Sequence, residues 1–208
     1  MTTYAIVNLK GGTTKTTSAA FLAHAFPKPT LCVDADAPGS LLRWSEFGDW
    51  DIPVVGMPVK DIHKRLPGIS RDYKTVVIDT PPLEEQAGVV YSALRAADVA
   101  VITVAPTMME MDRLSPILTA IDEVAPLRDR APIVRVLLTR VDGRSKAGSN
   151  VREALSEAGL EVVQVNIPLI QRYAQAFSKP VKDEMVPGDP YETAAKELEA
   201  AAKAGGVA

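Results

Sequence analysis

Seven short stretches of this chain are apolar on nearly every successive residue: Tyr4–Leu9, Thr30–Ala35, Val54–Met57, Thr75–Thr80, Val99–Ala105, Ile133–Thr139 and Val162–Ile167. A strand with one wet face alternates apolar and polar side chains, so unbroken runs belong to strands buried on both faces. Helical patterns fill the gaps, notably Thr16–Phe26, Glu84–Ala97, Arg113–Val124, Ser149–Ala158 and Pro190–Lys203. Strand and helix in alternation specify an α/β fold, with a mostly parallel central sheet flanked by helices. Gly48–Pro53 and Gly143–Gly148 read as loops. With 208 residues and no internal repeat, residues 1–204 are expected as a single domain and 205–208 as a flexible tail.

The first strand runs into a helix through Lys10-Gly11-Gly12-Thr13-Thr14-Lys15-Thr16-Thr17. Such a turn lets backbone N–H groups converge on an anion at the helix N-terminus, and glycine allows close approach of the ligand. In a phosphate cradle of this kind Lys15 reaches the β- and γ-phosphates of a nucleotide, and the Thr16 hydroxyl joins the coordination sphere of Mg²⁺. The general pattern G-x-x-x-x-G-K-[ST] asks for glycine at positions 9 and 14, where this chain has Leu9 and Thr14. The stretch fits instead the variant K-G-G-x-x-K-[ST], in which Lys10 precedes the glycine pair.

Ligands of parallel sheets sit outside the carboxyl ends of the strands, so polar residues at those ends are the ones to inspect. The run Thr75–Thr80 carries Asp79 at its tip, where a carboxylate can hold Mg²⁺ directly or through water. The run Thr30–Ala35 leads through Asp34 to Asp36. Aspartate is also a common cap and turn residue. Two such strand ends downstream of a glycine-lysine loop, however, supply cradle, metal ligand and base together.

These residues resemble the deviant-Walker ATPases typified by ParA, the plasmid and chromosome partition proteins, with MinD as a relative. Lys10–Thr17 is similar to that family's phosphate loop, Asp34–Ser40 to its second acidic motif and Val76–Pro82 to its third, so the resemblance covers most of the chain. The small size is that of the short partition ATPases. Thr14 stands where the family has glycine, and Ala37-Pro38 where it has Pro-Gln. The resemblance implies a P-loop NTPase fold of the deviant-Walker type that binds ATP with Mg²⁺ and leaves ADP. By position, Lys10 is implied to reach the nucleotide of a partner subunit, and Lys15 to contact phosphates in its own. Thr16 and, through water, Asp79 are implied to hold Mg²⁺, with Asp34 supporting the metal shell and Asp36 orienting or activating the attacking water. Thr139 and Arg140 are implied to lie against adenine, with Pro168 flanking the base. The same resemblance implies a homodimer formed on ATP, non-specific DNA binding and a centromere-binding adaptor, in a cytoplasmic, nucleoid-associated setting.

The net charge of −3 argues against a globally basic nucleic-acid binder. Between Pro126 and Lys182, however, ten bases face five acids. Within that stretch Arg140, Arg144, Lys146 and Arg152 are the candidate DNA-binding residues. A solvated loop and helix face explains them equally well. Met108, Met109 and Met111 are read as core filler before a flexible interface surface. The single cysteine, Cys32, lies in an apolar run and has no partner for an intramolecular disulfide, a redox pair or a zinc site. No apolar run approaches the roughly 20 residues that span a bilayer. Two other functions fit the loop: a MinD-like switch in division or polar positioning, and a small-molecule kinase or synthetase on the same fold. The first asks for a basic amphipathic C-terminal helix, where Glu192–Gly206 has alanines and charges without a large apolar face.

Overall fold

The computed structural model describes residues 1–207. Strands β1 (Thr2–Val7), β2 (Thr30–Asp34), β3 (Val54–Gly56), β4 (Thr75–Asp79), β5 (Val99–Val104) and β6 (Ile133–Leu138) form one parallel sheet in the order β3-β2-β4-β1-β5-β6. Between and after them come helices α1 (Lys15–Ala25), α2 (Ser40–Phe47), α3 (Ile62–Ile69), α4 (Leu83–Ala96), α5 (Met108–Asp112), α6 (Leu114–Val124), α7 (Ala147–Glu157), α8 (Gln171–Ala174), α9 (Val181–Glu184) and α10 (Pro190–Ala204).

Both sheet faces are covered, as the unbroken apolar runs require. Ala5 and Val7 of β1 join Leu31, Val33, Ile78, Leu94 and Ile117 on the face beneath α4 and α6. Their neighbours Tyr4 and Ile6 join Phe21, Leu22, Cys32, Val77, Tyr191 and Leu198 on the face beneath α1 and α10. Successive side chains of a strand point to opposite faces, so each run feeds two cores at once. Trp44 is buried in the second core and its indole Nε1 donates to the Lys179 carbonyl at 2.9 Å.

The run Val162–Ile167, expected as a strand, is not one. It meets β6 at its two ends, through a bridge from Val162 to Val136 and through the Ile167 amide, which donates to the Leu138 carbonyl at 2.9 Å, with another bridge from Pro168 to Val141 just beyond. In between, the Glu197 carboxylate accepts from the amides of Gln164 (2.6 Å) and Val165 (3.2 Å). The Val163 carbonyl accepts from Arg152 at 2.7 Å. Side chains therefore engage backbone groups along this stretch, and it crosses the end of β6 as a bowed connection. The expected loop Gly143–Gly148 is shortened because α7 starts at Ala147. The short helices α2, α3, α5, α8 and α9 were not legible as elements; α3 even carries Pro67 inside. The tail expected to be flexible is hydrogen-bonded as far as it is described. Gly206, with φ of 77°, closes α10 by donating to Lys203, and Val207 donates to Ala202. Ala208 lies outside the described residues.

Because Glu197 alone satisfies two amides of the bowed segment, Glu197→Ala is expected to lower the unfolding free energy in urea titrations by about 1–2 kcal/mol. Amide hydrogen exchange at Gln164 and Val165 should quicken in the same variant. Unchanged exchange at both amides would show that the carboxylate does not hold them.

Candidate functional site

The carboxyl ends of β1, β2 and β4 stop at one level. In the sheet register Ile6 lies opposite Asp79, and Asp79 opposite Asp34. The loop leaving β1 therefore rises directly beside both carboxylates. Asn8 anchors its base: the side-chain amide donates to the Thr103 carbonyl, while Oδ1 accepts from the Lys10 amide at 3.2 Å. From the other side the first amides of α4, Leu83 and Glu84, donate to the carbonyls of Asn8 and Leu9. Gly12 turns the loop with φ of 73°, a region open to glycine. Lys15 then reaches back across it, its Nζ donating to the Lys10 carbonyl at 2.8 Å. Burial lowers the Lys15 pKa, against the pull of Asp79 and Asp36.

The three aspartates sit in different environments. Asp79 is fully buried, and neither oxygen has a hydrogen-bond partner of good geometry. Burial pushes its pKa up to about 7, with the nearby Thr16 hydroxyl and Lys15 offsetting part of the rise. Asp34 is also buried, but its Oδ1 accepts from the Asp36 amide (3.1 Å) and its Oδ2 from the Leu42 amide (2.9 Å). The structure thus engages the residue expected to support a metal shell in fixing the turn that presents Asp36 and starts α2. Asp36 itself is half-exposed and borders a cavity of about 310 Å³ with Gly11–Thr17 and Pro82. Its pKa is raised first by desolvation and then by Asp34.

A second cavity of about 250 Å³ adjoins the loop and contains Thr139, Arg140 and Pro168, the residues expected near the base. The bowed segment delivers Pro168 there. Gly12, Thr14 and Thr17 border both cavities. Beyond the expected residues, the second cavity is lined by Ile167, Leu169, Ile170, Tyr173 and Tyr191. The two tyrosines rest on a buried network: Tyr173 donates to Asp189 (2.9 Å), Arg172 pairs with the same carboxylate (2.8 Å), and the Tyr191 hydroxyl lies 3.1 Å from Ser18 Oγ of α1. In sequence these tyrosines follow Pro168 by 5 and 23 residues, and no aromatic pattern marks them.

The candidate DNA-binding residues do not form one free patch. Arg152 is half-buried and donates to the Val163 carbonyl and, at 2.5 Å, to Asn166 Oδ1, so it serves the fold. Arg144 is exposed but forks onto Asp142 at 3.1 and 3.2 Å. Arg140 and Lys146 are exposed. Met108 and Met109, read as core filler, are exposed on α5, while Met111 packs against the core.

Two cavities that share Gly12, Thr14 and Thr17 thus lie at the strand ends, one lined by a lysine-bearing glycine loop and one largely apolar. The sequence model of the CobQ/CobB/MinD/ParA nucleotide binding domain matches residues 4–181. The chain belongs to this family. Maintenance of carboxysome distribution protein A from Gloeobacter kilaueensis is 34% identical over 179 residues, spanning 83% of this chain and 76% of that protein. Among solved structures, apo McdA of Cyanothece superposes with a TM-score of 0.75 at 20% identity, covering 95% of this chain and 99% of that one. MinD from Pyrococcus horikoshii, complexed with Mg-ADP, gives 0.76 at 16% identity with 98% of each chain covered. These two likenesses establish the fold of the ParA/MinD group.

The donors fit Mg²⁺. Among the described residues no three His, Cys, Asp or Glu side chains gather as a protein-only cage. Mg²⁺ asks for none, taking one or two protein oxygens together with phosphates and waters. Asp79, with two unpartnered oxygens, and the Thr16 hydroxyl beside it are such donors. Since the folded-state pKa of Asp79 lies above the ordinary carboxylate value near 4, the stability it contributes in acid is lost as pH rises from about 4 towards 7. Without metal, Asp79→Asn should therefore be more stable than the parent at pH 8, by on the order of 2–4 kcal/mol, with the gap closing towards pH 4. Added Mg²⁺ should raise the urea midpoint of the parent and not of the variant. A gap independent of pH would remove the buried charge as its cause.

Proposed function

We propose that the chain is a weak, Mg²⁺-dependent ATPase of the partition type, in which ATP binding joins two copies and hydrolysis to ADP and phosphate releases them. Lys10 carries this reading. Its ammonium lies beside the phosphate loop with 41% of the side chain exposed, in a surface ion pair to Glu84 at 3.5 Å. Such pairs contribute little, so Lys10 is free to leave Glu84 for the phosphates of a second copy. Lys15, on the first turn of α1, serves the phosphates of its own subunit, and its buried position strengthens that attraction. Thr16 and Asp79 hold Mg²⁺, which neutralises charge on the β- and γ-phosphate oxygens. Asp36, half-exposed at the phosphate cavity, positions the attacking water.

The ATP-joined pair binds DNA without sequence preference and is turned over by an adaptor protein attached to the cargo. Arg140 and Lys146 are the basic residues best placed for phosphates, each present twice in a dimer. The name of the Gloeobacter relative adds carboxysomes to DNA as a class of cargo for such a switch. Helix α10 spends its apolar face on the core, where Ala194, Ala195, Leu198 and Ala202 are buried, so α10 is not itself a surface for a membrane.

A gel-shift series with plasmid-length DNA of arbitrary sequence should show retardation with ATP or a non-hydrolysable analogue, none with ADP, and weakening as salt rises. Identical mobility in every nucleotide lane would sink the DNA reading. On a sizing column, Lys10→Ala should still bind nucleotide but elute as a monomer with ATP; a dimer equal to the parent's would take the in-trans role from Lys10.

A further inference from the structure

Among the described residues, two of the four non-glycine residues with positive φ face the same cavity: Thr14 at 65° and Arg140 at 56°. This region is disfavoured for a β-branched residue and persists only where surrounding contacts over-determine it. Thr14 occupies the loop position where the general phosphate-loop pattern has glycine. Its side chain is not idle. Thr14 Oγ1 lies 3.0 Å from Thr139 Oγ1 and 2.5 Å from the Thr13 carbonyl. A single hydroxyl proton serves one acceptor at a time, so the Thr14 hydroxyl donates either to the Thr13 carbonyl or to Thr139 Oγ1.

Thr139 is a firm anchor. It is buried at the end of β6, and its amide donates to the Val104 carbonyl at 2.8 Å. Thr14 is among the residues that border both cavities, whereas Thr139 borders only the one with Pro168 and the tyrosines. The hydroxyl pair therefore ties the phosphate loop to the wall of the apolar cavity across 125 positions of sequence.

We propose that the Thr14–Thr139 hydroxyl pair is a latch that sets the span between the phosphate and base cavities. A ligand filling both cavities gains from that preset span, and a bare polyphosphate does not. Thr14 and Thr139 are then positioning residues that favour nucleotides over inorganic polyphosphates. This rests on the nucleotide reading of the two cavities.

The test is calorimetric titration of the purified full chain with Mg-ATP and with Mg-tripolyphosphate. Thr139→Val keeps the side-chain shape and removes the hydroxyl; it should weaken ATP binding about threefold to tenfold, the worth of one neutral hydrogen bond, and leave tripolyphosphate binding unchanged. Thr139→Ser should restore ATP binding to within about twofold of the parent. Thr14→Gly alone should weaken ATP binding by the same factor as Thr139→Val, and the double variant no more than either; a Thr14→Gly chain that binds ATP as the parent does would mean that Thr139 acts by itself, and would overturn the latch. Should Thr139→Val bind ATP as the parent does, or lose ATP and tripolyphosphate in step, the latch is overturned. A parent chain that binds tripolyphosphate but gains nothing from the nucleoside would overturn the nucleotide reading as well.

Discussion

β1 is the constraint on which the site depends, because it is paired on both edges, by β4 and by β5. Parallel pairing fixes register residue by residue, and a slip of one would turn every side chain to the wrong core. With the register held, Ile6, Asp79 and Asp34 share one level and the glycine loop has one place to go. Asn8, Leu83 and Glu84 then pin the loop's base from two directions. The loop's own geometry, from Gly12 through Thr14 to Lys15, is built on that footing.

The electrostatics follow from how far each group is withdrawn from water. Asp79 and Lys15 are opposite charges in a buried setting, and burial moves each towards its neutral form: the carboxylate up, the ammonium down. A folded chain that keeps such groups at a strand end bears a cost that a doubly charged cation and phosphates would relieve. At Asp34 two backbone amides offset part of that cost, although burial still raises its pKa.

Much of the candidate site was legible because motif chemistry is local. Lys10–Thr17, Asp36 and Asp79 are marked by glycines, by a lysine at fixed spacing, or by a carboxylate ending an apolar run. The strands were legible for a similar reason, except Val162–Ile167, whose composition says strand while Glu197 and Arg152 engage its backbone from elsewhere in the fold. Arg152 shows the same limit from the other side. Its charge fitted a DNA contact and a solvated helix face equally well, and only the packed structure reveals its hydrogen bonds to Val163 and Asn166.

By itself the sequence determined the α/β class, the two-faced burial of the sheet and the phosphate loop, since each rests on side-chain pattern or spacing within a few residues. Tertiary structure alone decided that Tyr173 and Tyr191 line the second cavity, that Thr14 meets Thr139, and that Asp34 is tied to two backbone amides while Asp79 has no hydrogen bond of good geometry. The physical reason is that hydrogen-bond satisfaction and burial are settled by which distant segments close over a group, and residue identity carries no record of that.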